Sequence, residues 1–358
     1  MTLFGDIYNG CRVLVTGHTG FKGSWLALWL NQMGAHVAGL ALPPDTTTNH
    51  WDCLQLDLSE HYCDIRDASA VEEIVVQENP EIIFHLAAQS LVRRSYRNPL
   101  ETWSSNVMGT ANILEACRHS RSVRAVIVIT TDKVYENQER IMGYRENDRL
   151  GGHDPYSASK AAAELVTASY RNAFFNRKDS TLIATARAGN VIGGGDWSED
   201  RLLPDLIRAV ILGQSLAIRS PHATRPWQHV LECLSGYLLL GQHLLQGRTE
   251  CCGAWNFGPD QDNNCTVMDV LTRLRDYWPE LNWYLNEQPQ PHEANLLNLD
   301  CSKARAALAW QPVWTLSQTL SATVEWYRIY TASGRVQSRE QLAEFVNAAY
   351  LAGLGWCR

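Results

Sequence analysis

Arg12-Val-Leu-Val-Thr16-Gly17-His-Thr-Gly20-Phe-Lys-Gly23 opens the chain's first regular region. Arg12 to Thr16 is a short β-branched run, and Phe21 to Met33 reads as a helix that Gly34 stops. Between them lie three glycines spaced GxxGxxG, a variant of GxGxxG. Glycine there lets the backbone turn tightly and approach a pyrophosphate seated on the helix N-terminus. The strand–turn–helix setting gives the motif its weight, because three spaced glycines alone arise by chance. A bound dinucleotide is the expectation.

Strand and helix signals alternate outward from this unit. Strands are expected at His36–Leu42, Tyr62–Ile65, Glu81–Ala88, Ala125–Thr131 and Leu182–Ala188. Helices are expected at Asp67–Glu78, Pro99–His119 and Pro155–Phe175. Ala125 to Thr131 is nearly all apolar, as befits a central parallel strand buried on both faces. The order predicts an α/β fold, a Rossmann-type doubly wound parallel sheet with ligands at the strand C-termini. After Asn190 the pattern loosens into helices at Leu202–Leu212, Leu231–Leu245, Val267–Trp278 and Leu316–Tyr330, with short strands such as Leu216–Arg219 and Trp255–Gly258. This predicts a nucleotide-binding domain at 1–190, to which later chain could return. A smaller C-terminal α/β substrate lobe follows at 191–332, then a tail at 333–358 with a helix at Glu340–Ala352.

Of 358 residues, 45% are hydrophobic and 19% charged, with a formal net charge of −7 spread without long runs. This argues against nucleic acid or an anionic membrane as the main partner. No stretch reads as a bilayer span and none as a leader peptide. The ten cysteines form no CxxC pair, so no metal is expected and the thiols read as reduced, in a cytoplasmic protein. Only five of the 31 basic residues are lysines: Lys22, Lys133, Lys160, Lys178 and Lys303.

Tyr156-Ser-Ala-Ser-Lys160 puts a phenol and an ammonium on one helix face, with Asp154 and Pro155 fixing the helix start. A neighbouring cation is expected to lower the phenol's pKa and make it a base. Thr130-Thr131-Asp132-Lys133-Val-Tyr135 ends the fifth strand, where a doubly wound sheet presents reactive side chains. Oxidising an alcohol needs only the hydroxyl, Tyr156 and Lys160, so Asp132 and Lys133 imply a further proton transfer. Asp64, after the third strand, is placed to meet an adenine amino group. The end of the second strand lacks the usual acid for the adenosine ribose. Asp45 lies just beyond it, and no arginine stands there for a 2′-phosphate.

These stretches, with His85-Leu-Ala-Ala-Gln89, Asn106-Val-Met-Gly-Thr110 and Arg187-Ala-Gly-Asn190-Val-Ile-Gly, resemble the extended short-chain dehydrogenase/reductases that act on nucleotide sugars. The resemblance runs to about Tyr330. Gly143-Tyr-Arg-Glu146, Gly189-Asn-Val-Ile-Gly-Gly-Gly-Asp-Trp197, Arg225-Pro-Trp-Gln-His-Val230, Pro291-His-Glu-Ala294 and Leu299-Asp-Cys-Ser-Lys303 are similar to the CDP-glucose branch of the 4,6-dehydratases. The dTDP-glucose branch carries Glu at the place of Lys133. The resemblance implies a lyase with NAD held by Gly17, Thr19, Gly20, Phe21, Lys22, Gly23, Asp64, Ile65, Leu86, Ala87, Ala88, Asn106, Tyr156 and Lys160. It implies catalysis by Thr131, Asp132, Lys133, Tyr156 and Lys160, with Lys133 as a neutral base at sugar C5. CDP-glucose would meet Gln89, Asn190, Arg201, Arg225 and His292. The helices at Pro99–His119 and Pro155–Phe175 resemble the family's dimer-forming faces, implying a homodimer or dimer of dimers. Another nucleotide-sugar dehydratase (dTDP or GDP), a 4-epimerase and a silent NAD-binding regulator are the alternatives.

Overall fold

The computed structural model describes residues 2–177, 180–260, 264–286 and 296–358. Its central sheet has seven parallel strands. Six are β1 (Arg12–Thr16), β2 (His36–Ala41), β3 (Ser59–Tyr62), β4 (Ile82–His85), β5 (Ala125–Ile129) and β6 (Leu182–Arg187). The sheet order is Gly253–Asn256, β6, β5, β4, β1, β2, β3. The order reverses between β1 and β4, and a crevice opens at that switch point, beyond Thr16 and its β4 partner His85. Strand Gly253–Asn256 brings chain from the looser second half back onto the sheet beside β6.

Helix α1 (Phe21–Gln32) explains one layer of the molecule. Every residue from Gly23 to Leu30 is buried. A helix apolar all round must be covered on both sides. The sheet covers one side of α1, and the C-terminal helix Ser338–Leu351 covers the other. Trp29 meets Phe345 at 5.8 Å between ring centroids, and Trp356 stacks on Phe4 at 5.0 Å. Helix Val230–Leu245 shares this face with α1, against β5 and β6. On the opposite face Leu14, Ile83, Val126 and Val128 pack with residues of helices Ala68–Glu78 and Gly109–His119. All five residues of β5 are buried, as its continuous apolar run requires.

Two elements differ from expectation. The third strand is Ser59–Tyr62, three residues earlier than Tyr62–Ile65. It is a polar edge strand paired only to β2, so backbone pairing rather than apolar pattern positions it. The helix expected at Pro99–His119 is divided by a widened turn at Ser104–Met108, which sends Asn106 into the core. Among the described residues, no helix is long and apolar enough to cross a membrane.

Trp356 is 3% exposed and its indole N–H makes no hydrogen bond among the described residues, so its side chain contributes through packing. Trp356→Ala is expected to destabilise the fold by about 3–5 kcal/mol. A urea midpoint unchanged from wild type sinks this account of the C-terminal layer.

Candidate active site

The crevice begins at the glycine turn. Gly17 has φ +74°, and a Cβ there would lie 2.7 Å from the Ala87 nitrogen. A Cβ on Gly23 would lie 2.0 Å from the Gly17 carbonyl oxygen. Only glycine lets the turn, the first helical turn and the β4 loop approach so closely. Gly20 caps α1 without a side chain, so the helix N-terminus faces the crevice unobstructed. These features fit a dinucleotide pyrophosphate. Below the turn, Thr16 Oγ1 pairs with His85 Nδ1 at 2.8 Å, and His85 Nε2 with Thr110 Oγ1 at 3.1 Å. Burial pushes the His85 imidazole down to about 3, so it is a neutral strut between β1, β4 and the following helix.

The cleft encloses about 770 Å³. Every residue expected around the cofactor lines it, except Asn106. Asn106 donates instead to the Gln89 carbonyl at 3.0 Å and the Ser159 hydroxyl at 2.8 Å, tying the β4 loop to helix Pro155–Ala173. Gln89 lines the cleft, but its amide donates to Leu91 and Thr102 and accepts from the Leu91 N–H. Those bonds fold the loop and leave the amide committed within it. Asp64 faces the cleft with its carboxylate held by Arg66, which keeps its pKa below the usual range. Asp45 also lines it, 3.2 Å from Arg94.

The reactive groups come from two elements. Asp154 caps helix Pro155–Ala173, accepting from the Ser157 N–H at 2.9 Å, and so fixes Tyr156 and Lys160 one turn apart. The Lys160 ammonium donates to the Ile129 carbonyl at 3.0 Å, and burial pushes its pKa down to about 8. Burial pushes the Tyr156 phenol up to about 12, with the Thr131 hydroxyl and Arg201 pulling against it. The expected lowering by Lys160 is thus corrected. Burial dominates, the Lys160 ammonium is engaged by Ile129, and the groups that favour the phenolate are Thr131 and Arg201. At the end of β5, Thr131 caps a short turn over Asp132–Val134 and donates to Asp132 Oδ1 at 2.9 Å. Asp132 is fully buried, and its Oδ2 has no hydrogen-bond partner among the described residues. A Cβ on Gly189 would lie 1.9 Å from that oxygen, so this glycine makes the space the carboxyl occupies. A buried, unpartnered carboxyl oxygen is a site prepared for a proton or a hydroxyl. Lys133 follows on the same turn, half-buried.

The residues expected around the sugar nucleotide are dispersed. Arg201 lines the cleft with Tyr156, held by Asp196 at 2.9 Å. Asn190, at φ +32°, and the buried Arg225 do not line it. The Asn190 carbonyl accepts from the Gln228 N–H, and Arg225 sits on the ribbon Thr224–Pro226, donating to the Thr224 carbonyl. His292 and Pro291-His-Glu-Ala294 lie outside the described residues.

Sequence reasoning missed a buried pair beneath the site. Arg187 donates through Nε and Nη2 to Glu164 at 2.8 and 2.9 Å, and Thr130 and Thr185 each donate to Glu164 at 2.6 Å. The one available signal was spacing: Glu164 lies four residues beyond Lys160 on the same helix.

The family described as GDP-mannose 4,6 dehydratase matches residues 14–323. A CDP-glucose 4,6-dehydratase from Salmonella typhimurium is 45% identical over 352 residues, covering 96% of this chain and 98% of that protein. The epimerase Mth375 of Methanothermobacter thermautotrophicus superposes with a TM-score of 0.80 at 22% identity, covering 94% of this chain and 96% of that one. The UDP-glucose 4-epimerase of Thermus thermophilus, solved with NAD, superposes at 0.76 with 23% identity, covering 88% and 99%. The last two share the fold. The family match and the Salmonella relative, each spanning most of the molecule, establish that this chain belongs to the GDP-mannose 4,6-dehydratase family of nucleotide-sugar dehydratases.

Proposed function

We propose that the chain is an NAD-dependent hydro-lyase that converts CDP-glucose to CDP-4-keto-6-deoxyglucose. The observation that carries this reading is Asp132. Its buried, unpartnered oxygen shares a turn with Thr131, and Thr131 also acts on the Tyr156 phenol. Two proton-handling groups therefore sit at one place, where an alcohol oxidation alone needs one. A 4-epimerase has no use for the second. The CDP moiety is supported by the name and 45% identity of the Salmonella relative.

NAD, held in the cleft by the glycine turn, Asp64 and Lys160, would supply the hydride acceptor for C4 and the same hydride for C6, which makes the reaction redox-neutral. Tyr156 takes the proton of the sugar 4-hydroxyl, with Thr131 and Arg201 favouring the phenolate. The resulting 4-ketone acidifies C5–H. Lys133 removes the C5 proton. Asp132 gives a proton to the 6-hydroxyl, and water leaves across C5–C6. Lys133 then returns its proton to C5 as C6 is reduced. The proton Tyr156 took balances the one Asp132 gave, so the net change is loss of one water. Arg201, which lines the cleft beside Tyr156, would meet the substrate diphosphate.

We also assign a homodimer or dimer of dimers. Leu100, Met108 and Leu165 are 82%, 56% and 61% exposed on helical segments that pack side by side. Apolar side chains so exposed on adjoining helices fit an interface between copies. A cytoplasmic location accords with ten free thiols.

Incubation with CDP-, dTDP-, UDP- and GDP-glucose, with product masses recorded, tests the reaction. Loss of one water from CDP-glucose, with slower or no loss from the others, is expected. An unchanged mass with CDP-glucose rejects the dehydratase. Lys133→Met is expected to lower exchange of the C5 proton with solvent deuterium by about 10²-fold; exchange at the wild-type rate removes Lys133 as the base. Light scattering should give twice or four times the chain mass, and Leu100→Asp with Leu165→Asp should reduce it. A monomeric wild-type protein defeats the assembly proposal.

A further inference from the structure

The segment that carries Asp132 and Lys133 is tied at both ends to one buried ion pair. At its start the Thr130 hydroxyl donates to Glu164 at 2.6 Å. At its end the Tyr135 hydroxyl receives a hydrogen bond from Arg187 Nη1 at 2.8 Å. Arg187 and Glu164 are bonded to each other, so both anchors share one rigid support. Tyr135 in turn donates to Asn256 Oδ1 at 2.7 Å, and Asn256 Nδ2 donates to the carbonyls of Tyr144 and Asp300. The Tyr135 ring stacks on Tyr144 at 5.0 Å with a 16° tilt. Tyr135, Arg187, Glu164 and Asn256 are all buried.

The oxidising groups are held differently. Tyr156 and Lys160 sit on a helix fixed by the Asp154 cap and by the bond from Lys160 to Ile129. Thr131 adjoins the Thr130 anchor. Only the short turn Asp132–Val134 hangs toward the Tyr135 end. Glu164 joins this helix to Arg187, whereas the Tyr135 hydroxyl meets the network at the far end of the turn, so its loss bears on the turn Asp132–Val134 rather than on the helix.

We propose that Tyr135, held by Arg187 and Asn256, is a positioning residue for the elimination half of the reaction: it sets Asp132 and Lys133 against C5 and C6 without governing the C4 oxidation. This rests on the dehydratase reading above. Misplacing a proton-transfer group by a fraction of an ångström slows its step while leaving binding intact. Removing the Tyr135 hydroxyl takes away the side-chain anchors at the Lys133 end of the turn, keeps the backbone bonds from Gly151 to Val134 and from Glu136 to Arg149, and leaves Thr131, Tyr156 and Lys160 in place.

Tyr135→Phe tests this. Water loss from CDP-glucose is expected to slow about tenfold or more, with KM changed by less than about threefold. Acid-quenched turnover should show accumulation of the oxidised, undehydrated 4-keto sugar nucleotide, two hydrogens lighter than substrate. Amide exchange should rise in residues 131–135 and stay at the wild-type level in 154–162. Wild-type rates, or slowing without accumulated 4-keto sugar, overturn the positioning role while the reaction assignment stands. A wild-type enzyme that releases no water overturns both. If Tyr135→Phe fails to fold, Asn256→Ser, which removes the acceptor on the far side of the same hydroxyl, is read by the same measurements. Failure of both to fold overturns the proposal in favour of a purely structural network.

Discussion

The Glu164 carboxylate receives four hydrogen bonds inside the protein, two from Arg187 and one each from Thr130 and Thr185. Burial alone would raise the carboxyl's pKa, but these donors hold it below the usual range. Taking both charges out of water is costly, and breaking such a pair at one partner typically destabilises by about 3–5 kcal/mol. Its value lies in what it connects. Glu164 comes from the helix of Tyr156 and Lys160, Arg187 and Thr185 from β6, and Thr130 from the end of β5. Through Tyr135 and Asn256 the same pair reaches the strand Gly253–Asn256 and Asp300. The position of the reactive turn relative to the reactive helix depends on this one cluster.

Above the pair, the cleft brings three cations close enough to act on one another. Lys22, Lys160 and Arg201 all line it. Burial lowers the pKa of Lys22 and Lys160, and each is lowered further by cationic neighbours in the cleft. Three cations in a partly desolvated space disfavour one another, and an anionic dinucleotide and a sugar diphosphate relieve that repulsion. Two of the chain's five lysines are spent here, in a protein that otherwise uses arginine. Lysine can lose its proton in such a place, and arginine cannot.

Much of the scaffold was legible because its causes are local. The glycine turn after Arg12–Thr16, the caps at Asp67 and Asp154, and the apolar run of β5 each determine an element from a few adjacent residues, and each element formed where those residues predict it. Strand β3 lies away from its expected place because its position comes from pairing with β2, not from its own Ser-Glu-His-Tyr pattern. The residues after Pro99 read as one continuous helix because nothing in Ser104–Met108 reports the widened turn. Asn106 needs that turn to reach Gln89 and Ser159. The C-terminal helix was visible as a helix, but its seat on α1 depends on Trp29, Phe345 and Trp356 meeting across more than three hundred residues.

The sequence by itself determined the doubly wound sheet, the dinucleotide turn and the pairing of Tyr156 with Lys160, because each follows from backbone freedom or helical spacing over a few residues. It also placed Thr131, Asp132 and Lys133 at a strand end, where this architecture exposes side chains. Only the tertiary structure decided what those groups experience. It set Tyr156 under burial, with Thr131 and Arg201 as the opposing influences, and engaged Lys160 with Ile129. It committed the Gln89 amide to its own loop, left Arg225 out of the cleft, and assembled Glu164, Arg187 and Tyr135 beneath the reactive turn. Desolvation and buried hydrogen bonds depend on which distant residues share a space, and no local spacing encodes that.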